Sequence, residues 1–284
     1  MILRTRGFKK ITIIGVGLMG GSLGLAIKKS RIAREVVGMS QKKSSLDNAL
    51  QIQAIDTAFT EADKAVHNAD MVILATPVET IIKMLSIINP YLKRGCVVTD
   101  IGSAKAEVVE AAERTLRYPG LFVGSHPMVG SEKKGVIHAR DDLFENAMCI
   151  VTPTKRTSQV AKARVRFLWS KIGANIKYLT PEEHDSVISY ISHLPHLVAF
   201  SLMETVPKEF LQYASTGFKD TTRIAASSPQ MWNDIFLANS RNVLRSLDEL
   251  VARLSGFRKA IIEKDKKSLI FYCGSAKDKR ELLS

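Results

Sequence analysis

Acidic side chains are scarce in this chain: 28 Asp and Glu stand against 41 Lys and Arg, a formal net charge of +13 over 284 residues. The basic residues are scattered along the chain and not gathered into one block interleaved with aromatics. The excess therefore suits the steering of small anionic ligands better than the grip of nucleic acid, and no nucleic-acid partner is expected. Cysteine is nearly as rare. Cys96, Cys149 and Cys273 are odd in number and far apart, which excludes a disulfide framework and fits reduced thiols in a cytoplasmic protein. No Cys/His spacing of the metal-binding kind occurs, so no metal is expected. No apolar window approaches the length of a membrane span, and residues 1–9 are basic without an apolar signal-type core, so no membrane association is expected either. Internal repeats and low-complexity stretches are also lacking.

What the chain does have is the stretch Lys10-Ile11-Thr12-Ile13-Ile14-Gly15-Val16-Gly17-Leu18-Met19-Gly20-Gly21-Ser22, a β-branched run that breaks into glycines and continues with helical spacing. In such a strand–turn–helix, Gly15 permits the tight turn, Gly17 lets the backbone approach a pyrophosphate, and Gly20 lets the helix pack on the sheet. The N–H groups of the first turn, including Leu18 and Met19, then face the phosphates. A dinucleotide cofactor is expected.

From residue 11 to about 151, short β-branched runs (11–14, 35–39, 71–76, 96–100, 121–124 and 147–151, with 53–58 as a short extra) alternate with helical patterns. That alternation predicts an α/β fold, a Rossmann-type doubly wound parallel sheet over residues 1–152. Beyond it, residues 153–284 read as an all-α domain. A helix over 158–172 ends at Gly173, 175–179 is a candidate edge strand, Thr180 caps a helix with Pro181 at its first position, and two long helices cover 229–254 and 257–272 before a frayed tail. This helical part carries more apolar side chains than a bundle of its size covers by itself, among them Leu194, Phe200, Met203, Leu237 and Leu244. Homodimerisation through it is expected.

At the end of the second strand, where an acidic residue would bind the adenosine ribose 2′-OH, the chain has Gly38-Met39-Ser40-Gln41-Lys42-Lys43 and no carboxylate until Asp47. Ser40, Gln41 and Lys42 suit a 2′-phosphate, which favours NADP over NAD. Ligands of open α/β sheets lie beyond the carboxyl ends of the strands, which draws attention to Thr76-Pro77, to Asp100-Ile101-Gly102-Ser103-Ala104-Lys105 and to Gly124-Ser125-His126-Pro127-Met128. His126 is the natural acceptor for an alcohol proton as hydride leaves the same carbon, with Ser103 assisting. In the second half, Ser192-His193-Leu194-Pro195-His196 gathers polar groups on one helix face around a proline. Arg223 in Gly217-Phe218-Lys219-Asp220-Thr221-Thr222-Arg223 can clamp a substrate carboxylate. A small anionic substrate is expected.

Together with Gly130-Ser131-Glu132-Lys133-Lys134-Gly135 and Met231-Trp232, these motifs resemble, in order and over nearly the whole chain, the prephenate and arogenate dehydrogenases of tyrosine biosynthesis. The resemblance implies an NAD(P)-dependent oxidative decarboxylation of a cyclohexadienyl substrate, from prephenate to 4-hydroxyphenylpyruvate or from arogenate to tyrosine. It implies His126 as proton acceptor with Ser103 beside it, and Arg223 as holder of a carboxylate. His196 and His193 would line the pocket, with Glu132 and Lys219 as further substrate contacts. A carboxylate such as Glu132 would suit the ammonium of arogenate, and by resemblance NADP use leans toward arogenate as well. Two alternatives share the opening motif: a β-hydroxyacid dehydrogenase, which would use a lysine from the helical half, and a nucleotide-sensing regulator without catalysis.

Overall fold

A computed structural model describes residues 7–130 and 133–283. Strands β1 (Phe8–Ile14), β2 (Ala33–Met39), β3 (Thr57–Phe59), β4 (Met71–Leu74), β5 (Val97–Asp100), β6 (Phe122–Pro127), β7 (Met148–Thr152) and β8 (Asn175–Tyr178) form one eight-stranded sheet ordered β3-β2-β1-β4-β5-β6-β7-β8. Strands β1 to β6 are parallel, as the alternating pattern requires. β7 runs antiparallel to β6, with His126 opposite Ile150, and β8 is parallel to β7.

Helices cover both faces, which is why β4 and β5 are buried at every position instead of alternating. On one face α1 (Leu18–Lys29) and α6 (Gln159–Lys171) pack Leu23, Ile27, Leu168 and Trp169 against the strands. On the other, α4 (Val78–Ile88) and α5 (Ala106–Thr115) bring Ile81, Leu85, Val108 and Ala112. The short helices α2 (Lys43–Gln51) and α3 (Ala62–Val66) complete the layers near β3. Strand order reverses between β1 and β4, and the crevice at their carboxyl ends is where the fold receives a ligand.

The sheet continues past residue 152. α6 starts from the Ser158 N-cap and stops before Gly173, whose φ of +88° suits glycine alone, and β8 then adds the edge strand. The boundary read from sequence at 152/153 thus falls inside the sheet unit, and the chain turns wholly helical only at Thr180. There a capping box closes α7 (Pro181–Ile188): Thr180 Oγ1 accepts from Glu183 N at 3.1 Å while Thr180 N donates to Glu183 Oε2 at 2.8 Å. A single π-helical turn, Ser189–His193, leads into α8 (Leu194–Thr205), where Pro195 stands in the first turn.

The helical run Pro181–Thr205 is, by length and composition alone, apolar enough to cross a membrane (25 residues, mean hydropathy 1.3), against the expectation that no window reaches such a span. Its buried His184, Asp185, Ser189 and His193 face protein partners, so here it serves as a packed helix of the site.

α9 (Thr216–Thr222), α10 (Pro229–Ala238), α11 (Ser240–Ile262) and α12 (Lys266–Glu281) complete the chain. The break between the long helices falls at Asn239, not near residue 255, and Gly256 lies within α11. Asn239 is buried, with its Nδ2 donating to the Asp185 carbonyl at 2.8 Å, and this side-chain anchor ends α10. The next turn comes at Asp265, whose carboxylate caps α12 through Ser268 N at 3.2 Å, and α12 stays helical to Glu281 where the sequence suggested fraying. Leu237, Leu244, Leu254, Ile261, Ile270 and Phe271 are exposed on these helices.

Candidate active site

Gly15 leaves β1 at a φ of +100°, and a Cβ there would fall 2.6 Å from the Ala75 carbonyl oxygen; one on Gly20 would collide with the Gly15 carbonyl. Both glycines are required by close backbone approach. At Gly17 a Cβ would meet nothing within 4 Å, so open space lies beside the N-terminus of α1, where no side chain caps the helix. Thr76, next to Gly15, has a buried Oγ1 without a partner. An uncapped helix start, an open glycine flank and an orphaned hydroxyl at adjoining strand ends fit a dinucleotide. Ser40 follows β2 with Gln41 and Lys42 exposed beyond it, and Ser40 Oγ accepts from Lys42 N at 3.2 Å. Leu18, Met19, Pro77 and Ser103 border the same crevice at the ends of β1, β4 and β5.

His126 sits near the carboxyl end of β6, one position inside the strand, its ring half-buried. Ser103 makes no side-chain hydrogen bond with it. The partner is His184 from α7: His126 Nδ1 lies 2.8 Å from His184 Nε2, the rings meeting edge-on with centroids 5.1 Å apart. His184 Nδ1 in turn lies 2.7 Å from Asp185 Oδ1. The Asp185 carboxylate also accepts Lys105 N at 2.7 Å and Ala106 N at 2.9 Å, capping α5 across the join between the sheet and the helices. Burial, then His184, then Lys105 hold the His126 imidazole well below its ordinary range, so at neutral pH it is an unprotonated base. His184 is also held down, chiefly by burial, against the pull of Asp185.

Beneath these rings lies a dry polar knot. The ammonium of fully buried Lys105 pairs with Asp100 and donates to the Ser125 carbonyl at 3.1 Å. Asp100 accepts Gly102 N at 2.9 Å and Ser125 N at 3.3 Å, while Ser125 Oγ donates to the Asp100 carbonyl at 2.6 Å. The motif running from Asp100 to Lys105 therefore folds back on itself and stiffens the loop that carries Ser103.

The helical half supplies the far wall. His196 stacks on Trp232 with ring centroids 3.7 Å apart, and its Nδ1 donates to the Ser192 carbonyl at 2.9 Å. Its imidazole lies below the usual range through burial, with the nearby Arg223 charge adding to the effect. Arg223 is exposed at the turn after α9. Lys219 is exposed on α9, and Glu132 lies outside the described residues.

His193 is fully buried, with Asn239 Nδ2 at 3.2 Å from its Nδ1 and its Nε2 unpartnered. Burial pushes it down to about 4. An unfolded chain takes up that proton near an ordinary value of about 6.5 while the folded one does not until about pH 4. Acid therefore favours unfolding across this window, by up to about 1.4 kcal/mol per pH unit for the one proton. Thermal midpoints should fall as pH drops from about 6.5 to about 4, and less steeply for His193→Gln; parallel curves would show that another group governs the slope.

Motif position and spacing single out His126, the glycine turn and His196 but give no role to His184, Asp185, Lys105 or Asn239. One usable signal was the His-Asp dipeptide in the first turns of a helix opened by a capping box. Among the described residues no cluster of three or more His, Cys, Asp or Glu could hold a metal ion.

Residues 23–178 match the family model of the prephenate dehydrogenase nucleotide-binding domain, and residues 180–274 match that of the prephenate dehydrogenase dimerization domain. The chain is 38% identical to the prephenate dehydrogenase of Bacillus subtilis, over 95% of this chain and 75% of that protein. It is 33% identical to the cyclohexadienyl dehydrogenase of Zymomonas mobilis, over 91% and 90% of the two chains. The crystal structure of Aquifex aeolicus prephenate dehydrogenase in complex with hydroxyphenyl propionate and NAD+ superposes with a TM-score of 0.92 at 33% identity, covering 99% of this chain and 100% of that one. On the matched domains, the shared fold and the level of identity, the chain belongs to the prephenate dehydrogenase family.

Proposed function

We propose that this chain catalyses the NAD(P)-linked oxidative decarboxylation of prephenate, with His126 as the acceptor of the hydroxyl proton. The observation that carries the proposal is the His126 imidazole near the carboxyl end of β6, the same end of the sheet from which the glycine turn leaves β1, with its Nδ1 2.8 Å from His184 Nε2 of the helical half. Bound along the glycine turn, a nicotinamide dinucleotide supplies the hydride acceptor. His126 takes the proton from the ring hydroxyl as that carbon gives up hydride. The electrons of the ring–carboxylate bond move through the ring to the new carbonyl oxygen as carbon dioxide leaves, and His126 returns its proton to that oxygen, so the ring ends as a phenol. Arg223 holds a substrate carboxylate, His196 on its Trp232 platform lines the pocket, and Ser103 borders the reacting hydroxyl. Against the alternative with a lysine base from the helical half, the side chain that this half brings to His126 is His184.

Between the two cyclohexadienyl substrates, the names of the relatives favour prephenate. Incubation of the purified chain with prephenate or arogenate and either cofactor, followed by absorbance of the reduced nicotinamide, tests this directly. Turnover with prephenate is expected; turnover with neither substrate would overturn the assignment. The active form is a homodimer, because the exposed apolar residues of α10, α11 and α12 lie within the stretch that matches the dimerization model. We divide the two units at residue 179, where the sheet ends.

NADP is the preferred cofactor, although the Aquifex complex holds NAD+. Support comes from Ser40, Gln41 and Lys42, which put a hydroxyl, an amide and an ammonium after β2 and no carboxylate before Asp47. Ser40→Asp should turn the ratio of kcat/KM values toward NAD by at least about tenfold, the equivalent of 1.4 kcal/mol. An unmoved ratio would mean that the ribose is read elsewhere.

A further inference from the structure

His184 takes no part in the chemistry proposed above, yet it makes the contact that decides which nitrogen of His126 carries a proton. Asp185 accepts two backbone N–H groups, from Lys105 and Ala106, and these donors cannot reverse. The Asp185 oxygen that faces His184 Nδ1 at 2.7 Å is one of those acceptors, so His184 Nδ1 is a donor. Burial keeps His184 neutral, which leaves its Nε2 as a bare lone pair. His126 Nδ1, 2.8 Å from that lone pair, must then donate to it. A neutral imidazole with its hydrogen on Nδ1 has none on Nε2.

We propose that His184 and Asp185 are positioning residues: they lock His126 in the Nδ1–H tautomer, with Nε2 as the acceptor, and stabilise the imidazolium that forms when it takes a proton. This rests on the reading of His126 as the base. Asp185 has a second duty, because its two backbone contacts pin α7 to the start of α5. The tautomer of the base and the docking of the helical unit on the sheet are thus set by one carboxylate, and His126 is a competent acceptor only while the two units are joined. Asn239 holds the same point from the other side through the Asp185 carbonyl. The other charged or titratable groups facing the two rings are Lys105, Asp100 and His193.

The test is nitrogen NMR of histidine-labelled, ligand-free protein at neutral pH, combined with steady-state kinetics. The unaltered protein should show His126 with a protonated Nδ1 and an unprotonated Nε2. In His184→Leu the His126 signal should move toward the other tautomer or a mixture, with kcat for prephenate at least about tenfold lower and KM little changed. His184→Gln, whose Oε1 can accept the same hydrogen bond, should restore the tautomer and most of kcat. Should His184→Leu fail to fold, the glutamine variant still decides the matter. A proton on Nε2 of His126 in the unaltered or glutamine protein, or a His184→Leu enzyme with full kcat, overturns the proposal. A chain without dehydrogenase activity overturns the functional reading instead, and the tautomer is still read in the ligand-free spectrum.

Discussion

Replacing His126 by Asn lowers kcat for prephenate at least about a hundredfold, the usual worth of a positioned general base. Asn keeps a polar side chain of similar reach at the end of β6, so the pairing with Ile150 on β7 survives and the site keeps its shape. What it lacks is a nitrogen that can take a proton. The glycine turn, Thr76 and the Ser40 segment do not touch His126, so the dissociation constant of the cofactor, read by protein fluorescence, should change by less than about threefold. In the unaltered enzyme burial, His184 and Lys105 hold the imidazole well below its ordinary range. The acid limb of kcat/KM should therefore fall below pH 6.5, with activity constant through neutrality. A His126→Asn enzyme with near-normal turnover would remove this side chain from the mechanism, and an acid limb at or above pH 6.5 would remove the electrostatic account of it.

The parts of this molecule that are legible in its sequence are those governed by local rules. The glycine turn is written in consecutive residues because backbone sterics leave no other choice at Gly15 and Gly20. The start of α7 is written in the Thr180 to Glu183 capping box, and the end of α6 in Gly173. Contacts between distant segments are not written this way. Asp185 reads as one more acid on an amphipathic helix, and only the docking of α7 on α5 makes it a helix cap and the anchor of His184. Asn239 reads as an ordinary helix residue, and its buried contact with the Asp185 carbonyl moves the helix break well away from where spacing puts it. The direction of β7 is hidden for the same reason: an antiparallel edge strand has the same apolar run as a parallel one. His126 is legible by its place at the end of a strand, and the same spacing points to Ser103 as its helper, whereas its hydrogen-bond partner is His184 from the other unit.

The buried pair of Lys105 and Asp100 carries the largest expected effect on stability. Both side chains are fully excluded from water, and among the described residues the ammonium has one other partner, the Ser125 carbonyl at 3.1 Å. Asp100→Leu leaves that ammonium in a dry cavity with a single hydrogen bond, and should cost about 3–5 kcal/mol of folding stability. Lys105→Met leaves Asp100 with backbone donors from Gly102 and Ser125, so its loss should be the smaller of the two. The double variant carries no stranded charge, and should recover most of what Asp100→Leu loses. Urea midpoints for the four proteins read this cycle; losses that simply add would show that the two groups are not coupled. The same lysine reaches the chemistry through its field, since its positive charge opposes protonation of both His126 and His184. Lys105→Met removes that opposition, so the acid limb of kcat/KM should move to higher pH, whereas the backbone contact from Lys105 N to Asp185 is unaffected by the change of side chain. A limb that stays in place would mean that burial and His184 alone hold the base neutral, and that the knot beneath the site serves only to stiffen it.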